Sequence, residues 1–305
     1  MVKAVEAALP SYPYDHFRCY PSTAKDSWQT LFYQKLLNSE RTFFVDLGDN
    51  FPIFIGVGMN QWDRDHFGFG VAAIDIVFSN ETSISNTHMA QLLQRCVAHL
   101  RDHDFRFVSA RVNGDMLTTL QLFEAKGFRY VENIIWPVAR CSQLAQSLDP
   151  AVRLMHEGDL QQVVRIATNY QYERGHFHAD RRFDRKKVDQ LYAKWIETSW
   201  ANKEPIAVVE HGGRVAGYFN FKMDDEISRA LGYSYGRFRS LALDAAVRGQ
   251  GLGQKLFRGT MAIIASMGGE YIDSGYATKN HTSAKLHSLG GFYSVYEEVT
   301  LHLWL

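Results

Sequence analysis

Apolar residues along the chain fall into short alternating runs and longer stretches of helical period. The clearest amphipathic pattern covers residues 86–103, where Met89, Leu92, Leu93, Cys96, Val97 and Leu100 share one face and Asn86 is available as a cap. An earlier helix is expected over 24–38, with Trp28, Leu31, Phe32, Leu36 and Leu37 at helical spacing. Strands are expected at 42–47, 52–57, 68–77 and 105–112, then a short helix at 116–125 closed by Gly127 and a strand at 129–138. Residues 141–150 are polar or turn-forming, and the pattern restarts at Val152. Beyond lie helices at 158–167 and 185–199, and strands at 206–210 and 215–222 around the turn His211-Gly212-Gly213. A strand at 237–243, a helix at 253–267, a strand at 271–274, a helix at 282–289 and a strand at 292–305 complete the chain. The restart divides it into domains 1–148 and 149–305.

The halves share a signature. Phe107-Val108 followed by Leu122 to Phe128 aligns at a constant offset with Tyr271-Ile272 followed by Leu286 to Phe292, so both halves end in strand, helix, Gly-Phe, strand. Two domains of similar topology account for this. Nothing between Ile84 and Gly114 matches the glycine-rich loop of the second half, so the first domain is expected to have lost any ligand held there.

Composition narrows the class. The 305 residues are 46% hydrophobic and 22% charged, with 33 basic against 33 acidic side chains, which argues for a soluble globular protein and against a nucleic-acid binder. Cys19, Cys96 and Cys141 are scattered, with no C-x-x-C, so neither a disulfide framework nor a zinc-thiolate site is expected. No apolar run is long enough for a membrane span and no signal-like segment opens the chain, which together predict a cytoplasmic protein. His99 and His103 have the spacing of a metal pair but lack an H-E-x-x-H context, and no metal is expected.

Chemistry concentrates at Leu241-Ala242-Leu243-Asp244-Ala245-Ala246-Val247-Arg248-Gly249-Gln250-Gly251-Leu252-Gly253-Gln254. A strand ends, a glycine-rich turn follows, and an amphipathic helix begins. Glycines allow positive φ and close backbone approach, successive N–H groups at a helix start converge, and Arg248 adds charge, so a pyrophosphate is the natural guest. A dinucleotide fingerprint fails, because Gly253 falls one residue early and only 32 residues follow Asp273, the decoy ribose acid. A Walker loop fails for want of G-K-[ST].

The segment resembles motif A of the GNAT N-acetyltransferase superfamily, [Q/R]-x-x-G-x-[G/A] after L-x-V, with Arg248, Gly251 and Gly253 in the loop and Leu241 and Leu243 in the strand. A second element, Asn280-x-x-Ser283-x-x-Leu286-His287-x-x-x-Gly291-Phe292, is similar to the N-x-x-A-x-x-L-Y-x-x-x-G-F of that superfamily. The resemblance implies an α/β (α+β) fold of tandem GNAT-like domains, each a mixed, mostly antiparallel sheet flanked by helices, the first degenerate and the second catalytic. It implies acyl-coenzyme A as co-substrate, its pyrophosphate held by amides of Gly249, Gln250, Gly251, Leu252, Gly253 and Gln254 and its pantetheine arm paired with Leu241 and Leu243. Asn280 would contact the cofactor or cap the following helix. His287 fills the position of the tyrosine that protonates the leaving thiolate. It either keeps that role or lines the pocket while Tyr276, Tyr293 or water serves instead. No general base stands out; Asp244, Glu226 and His211 are candidates by placement.

The acceptor side carries a narrower resemblance. Tyr172 to Phe183, followed by Leu191-Tyr192-Ala193-Lys194-Trp195-Ile196, resembles the R-F-H-x-D-x-R … L-Y-x-x-W-I segment of the TDP-fucosamine acetyltransferase group, and Trp62 to Phe69 resembles an element of that group's first half. The likeness implies a TDP-linked amino sugar as acceptor, an acetyl or larger acyl group such as 3-hydroxybutyryl, and a place in surface-polysaccharide biosynthesis, with a homodimer compatible. Gly175-His176 is an insertion relative to that pattern. Arg174, Arg181, Arg182 and Arg185 form a basic cluster suited to a diphosphate or to a solvated helix entrance. His176 and His178, in an extended segment, would point the same way toward sugar hydroxyls. Trp62 is a core aromatic or a ligand stack. The competing readings are acyl transfer to another amine (a polyamine, an antibiotic, a protein) and a non-catalytic acyl-coenzyme A binder.

Overall fold

The computed structural model describes residues 41–46, 53–78, 86–141, 149–169 and 175–305. The helix expected at 24–38, most of the joint at 141–150, Cys19 and Arg174 lie outside them. The described chain forms two compact units, each treated separately below.

The first unit opens with the antiparallel pair β1 (Arg41–Asp46) and β2 (Ile53–Met59). Helix α1 (Gln61–Phe67) follows, started by Asn60, whose side chain accepts from the Asp63 N–H, and ended by left-handed Gly68. Seven residues are too few to show a helical period, but those two residues are its start and stop signals. Strand β3 (Gly70–Phe78) pairs antiparallel with β2 and parallel with β4 (Phe105–Asn113). Between them α2 (Asn86–Asp102) buries the expected stripe of Met89, Leu92, Leu93, Cys96 and Leu100 against Val108, Ala110 and Val112. Helix α3 (Leu117–Ala125) adds Phe123, and β5 (Arg129–Arg140) leaves this unit after Ile134.

The second unit continues from β5 through β6 (Val152–Leu154), α4 (Leu160–Asn169), the single turn α5 (His176–Ala179) and α6 (Arg185–Ala201). Next come β7 (Ile206–His211), β8 (Arg214–Met223), α7 (Asp225–Leu231), β9 (Tyr235–Leu243), α8 (Leu252–Ser266), β10 (Tyr271–Asp273), β11 (Tyr276–Ala277) and α9 (His281–Leu289). Its sheet runs β5-β10-β9-β8-β7-β6 and is antiparallel except for β9 beside β10. Alternation along β8 serves two cores. Phe219 and Phe221 meet Leu256, Phe257 and Ile264 of α8, while Tyr218 turns to Val163 and Ile166 of α4 and Ile196 of α6.

The final strand, β12 (Tyr293–Trp304), returns to the first unit from Tyr296 onward and lies antiparallel to β4, from Glu298↔Asn113 to Trp304↔Phe107. The units therefore do not correspond to one cut in the sequence. The internal repeat is visible in register. Val71↔Phe107 and Ala72↔Val108 recur at the same offset as Tyr235↔Tyr271 and Gly236↔Ile272. The helix ends repeat too: Phe128 N–H donates to Phe123 C=O at 3.1 Å, and Phe292 N–H to His287 C=O at 3.0 Å, each after a glycine of positive φ. Phe123 and His287 thus occupy corresponding places.

Candidate active site

Among the described residues the second unit has one parallel strand pair, and it parts early. Strands β9 and β10 pair only over Tyr235↔Tyr271, Gly236↔Ile272 and Arg237↔Asp273, after which β10 ends and β9 runs on to Leu243. On its other side β9 stays paired with β8 up to Gly217↔Leu243. Asp244 N–H donates to Ala216 C=O at 2.9 Å, which marks that pair as hydrogen-bonded. In an antiparallel ladder bonded and non-bonded pairs alternate, so the N–H and C=O of Leu241 and Leu243 point away from β8, into the fork. In the first unit the corresponding strands stay together further, from Gly70↔Phe105 to Ile74↔Ala110.

The fork runs out into the glycine loop. Asp244 accepts from the Ala246 N–H at 3.0 Å and from Arg165 Nη2 at 2.9 Å, pinning the short turn Ala245–Val247. These bonds, the Ala246 amide first, hold its carboxyl below the usual range, and Asp244 serves as the cap of the turn. Arg248 and Gly249 to Gly251 are exposed, and Arg248 Nη2 lies 3.4 Å from the Leu243 carbonyl. Gly249 and Gly251 have φ of +79° and +78°, with nothing within 4 Å of an added Cβ. Backbone conformation, not crowding, calls for glycine there. Gly253 differs: its Cβ would stand 3.3 Å from Leu243 Cδ1, so it lets the helix start close against the strand. Gly251 caps α8 with no side-chain bond, and its carbonyl takes both the Gln254 and Lys255 N–H. The amides ahead of Gln254 precede any carbonyl of the helix that they could reach, which is the anion-binding arrangement of a helix N-terminus.

Helix α9 borders this region through Phe257 of α8. Asn280 accepts from the Ser283 N–H at 3.1 Å, so it caps the helix. His287 is 4% exposed and packed among Phe257, Tyr276 and Phe292, with ring centroids 4.8 to 4.9 Å away. Its Nδ1 lies 2.7 Å from the Ser283 carbonyl, which fixes the proton on Nδ1, and its buried Nε2 has no partner among the described residues. Burial lowers its pKa to about 4, against a smaller upward effect of the Ser283 carbonyl. A neutral imidazole whose only proton is bonded to the backbone is poorly suited to protonate a thiolate, which weighs against one of the two roles expected for it. Asp273, the decoy ribose acid, is buried and held by Arg237, with Nη2 to Oδ2 at 2.7 Å.

The acceptor-side residues separate. The segment expected to be extended forms α5, and two positions apart on a helix do not share a face. His178 is turned inward, its Nε2 3.0 Å from Asp189 and its ring stacked on Tyr192, whereas His176 is half-buried beside Phe177. Arg182 pairs with Asp180, Arg185 with Asp189, and Arg181 is exposed. In the first unit, Trp62 stacks on His66, and burial raises the Asp63 pKa to about 6 despite Arg111 and Asn60. Among the described residues no group of His, Cys, Asp and Glu is placed to hold a metal, and no helix is long and apolar enough to cross a membrane.

An open parallel fork, a glycine turn at its mouth and a helix beginning there make up the candidate site. Residues 169–292 match the family model described as Acetyltransferase (GNAT) family. The chain thus carries a GNAT acetyltransferase domain and with it acyl-CoA-dependent N-acyltransferase chemistry. No curated protein sequence matches the chain. Among solved structures it is similar to a GCN5-related N-acetyltransferase from Sphaerobacter thermophilus, at 13% identity, TM-score 0.59 and 97% and 96% coverage of this and that chain. A tandem GNAT protein from the clavulanic acid biosynthesis pathway gives 13% identity, TM-score 0.55 and 97% coverage of both chains. A fungal structure described as a GCN5-related glucosamine N-acetyltransferase region within a multi-domain GH3 beta-N-acetylglucosaminidase gives 10% identity, TM-score 0.63 and coverage of 99% and 37%. At such identities these structures speak for the fold.

Proposed function

We propose that the second unit transfers an acyl group from coenzyme A to the amine of a nucleotide-linked amino sugar, with a TDP-linked sugar as the expected acceptor. The observation that carries the acyl-transfer part is the fork, with Leu241 and Leu243 turned into it and the loop 248–254 at its mouth. Coenzyme A fits these residues: the loop is exposed, two glycines have the backbone that anion cradles use, and the free strand edge offers a ladder to an amide-bearing arm. The bound thioester supplies the activated acyl group. The amides of Gly249 to Gly253 and Arg248 would take the pyrophosphate, the Gln254 amide being held by the Gly251 carbonyl, and the Leu243 N–H or its neighbours would orient and polarise the thioester carbonyl. Held in place, the acceptor amine attacks directly, and positioning accounts for most of the rate.

His287 is assigned a core role, and the proton for the thiolate comes from Tyr276, whose ring packs on His287, or from water. The acceptor assignment rests on the sequence resemblance around residues 172–196 and 62–69. That a glucosamine N-acetyltransferase region has this fold is compatible with it. Arg174, His176 and Arg181 are the residues proposed to meet the sugar nucleotide, while His178 is buried against Tyr192 and Asp189. Nucleotide-linked sugars are made in the cytoplasm, which is where the enzyme is placed, as part of surface-polysaccharide synthesis. A thiol-release assay with acetyl-CoA tests the reading against a panel of TDP-amino sugars and free polyamines. Release with a sugar nucleotide supports it; release with polyamines alone refutes the acceptor, and absence of coenzyme A binding refutes the whole.

A further inference from the structure

The point where β9 and β10 part is held by an ion pair that the functional reading does not use. Arg237 and Asp273 are the last partners of the parallel ladder. Arg237 Nε lies 3.0 Å from Asp273 Oδ1, Nη2 2.7 Å from Oδ2, and Nη2 also donates to the Tyr235 hydroxyl at 3.1 Å. The guanidinium carbon is 5.7 Å from the ring centroids of both Trp136 and Tyr235. Asp273 is 2% exposed, and the next residue, Ser274, is turned toward β5 by its N–H bond to the Pro137 carbonyl at 3.1 Å. The last rung of the ladder is thus bridged by side chains on one face of the sheet, just before the strands part.

Its distance from the loop matters. From Leu243 back to Phe238 the free edge of β9 spans about 17 Å at the usual strand rise. If a pyrophosphate sits at the loop, the pantetheine arm takes up most of that edge, and an acyl chain beyond the sulfur is directed at the vertex. We propose that the Arg237–Asp273 pair is a latch that fixes where the strands part and closes the donor groove, restricting the enzyme to short acyl groups such as acetyl. This rests on the reading of the fork as the coenzyme A site. Arg237 and Asp273 act here as positioning and specificity-determining residues, not as participants in the reaction.

The test is calorimetric binding of acetyl-CoA and hexanoyl-CoA to the full chain without acceptor, so that turnover plays no part. In an open apolar groove the four extra methylenes would tighten binding by about tenfold or more. Closed by the latch, the wild type should instead bind hexanoyl-CoA at least tenfold more weakly than acetyl-CoA. The paired variant Arg237→Ala with Asp273→Ser removes both charges together, so no buried charge is stranded. It should bring the two ligands within threefold of each other. The conservative pair Arg237→Gln with Asp273→Asn keeps bulk and hydrogen bonding and should retain the wild-type ratio. Tighter hexanoyl-CoA binding by the wild type overturns the proposal whether or not either variant folds. So does an unchanged ratio in a folded Arg237→Ala/Asp273→Ser protein. If neither thioester nor coenzyme A itself binds, the reading of the fork fails, and the latch with it.

Discussion

Replacing His287 with phenylalanine separates a core histidine from a catalytic one. The internal repeat supplies the template: Phe123 fills the matching place in the first unit, with its ring centroid 4.9 Å from Phe128, as His287 lies 4.9 Å from Phe292. Burial lowers the His287 pKa from 6.5 to about 4. Below 6.5 the unfolded chain therefore takes up a proton that the folded chain refuses, and stability falls with pH until about 4, where the loss is complete. Between about pH 8 and about pH 5 the linkage relation gives a loss of about 2 kcal/mol from this one group. The His287→Phe protein lacks that group, while every other titrating side chain is common to both proteins. Urea unfolding at the two pH values should show the wild type losing about 2 kcal/mol more than the variant. At the higher pH the two should agree within about 1 kcal/mol, since loss of the Ser283 bond is offset by apolar burial. Turnover should stay within about threefold of wild type. An equal pH response in the two proteins would refute the burial argument. A fall in turnover of a hundredfold with coenzyme A affinity intact would return the proton-delivery role to His287.

Other substitutions probe the loop and its supports. Gly251→Ala meets no atoms but must adopt a φ of +78°, at a cost of about 1 kcal/mol or more, and should weaken coenzyme A binding in calorimetry at least fivefold. Arg248→Ala should weaken it about tenfold at low salt and less at high salt, since an exposed charge is screened; salt-independent loss would argue for a packing role. Asp244→Asn removes the charge that meets Arg165 but keeps a capping oxygen, and should raise the KM for acyl-CoA several-fold with little change in kcat. Arg181→Glu should raise the KM for a TDP-amino sugar without altering acyl-CoA affinity, and no change would remove Arg181 from the acceptor site.

Much of this architecture was legible where a local rule sufficed. The Met89-to-Leu100 stripe marked α2, and the two Gly-Phe endings marked the repeat, because helical period and left-handed caps depend on neighbours in sequence. Asn280, expected either to contact the cofactor or to cap the next helix, is seen to cap it. Short elements escaped. Helix α7 shows no usable period, although Asp224, which accepts from the Ile227 N–H, and left-handed Gly232 bracket it. Histidines misled, because the same residue type serves as acid, ligand or core filler according to what surrounds it. The inward turn of His178 depends on Asp189 and Tyr192, and the neutrality of His287 on three aromatic rings, all brought in by tertiary structure. The return of β12 to the first unit was also hidden, since an apolar terminal strand pairs as well with one sheet edge as another until the register is known.

The two units differ at the edge on which the proposed coenzyme A site rests. Both parallel pairs share corresponding rungs, Val71↔Phe107 and Tyr235↔Tyr271. In the first unit the ladder goes on through Ile74↔Ala110, so β3 has less free edge toward β4. In the second it stops at Arg237↔Asp273, where a buried carboxylate and its arginine mark the end of pairing. A free edge is costly for a strand to leave in solvent and invites a partner. The same edge, ending in amides that no helix carbonyl can satisfy, supplies both a ladder and an anion cradle. On the proposed function, cofactor binding would depend on where the parallel ladder stops as well as on the glycines, and a sequence displays the glycines far more openly than the stop.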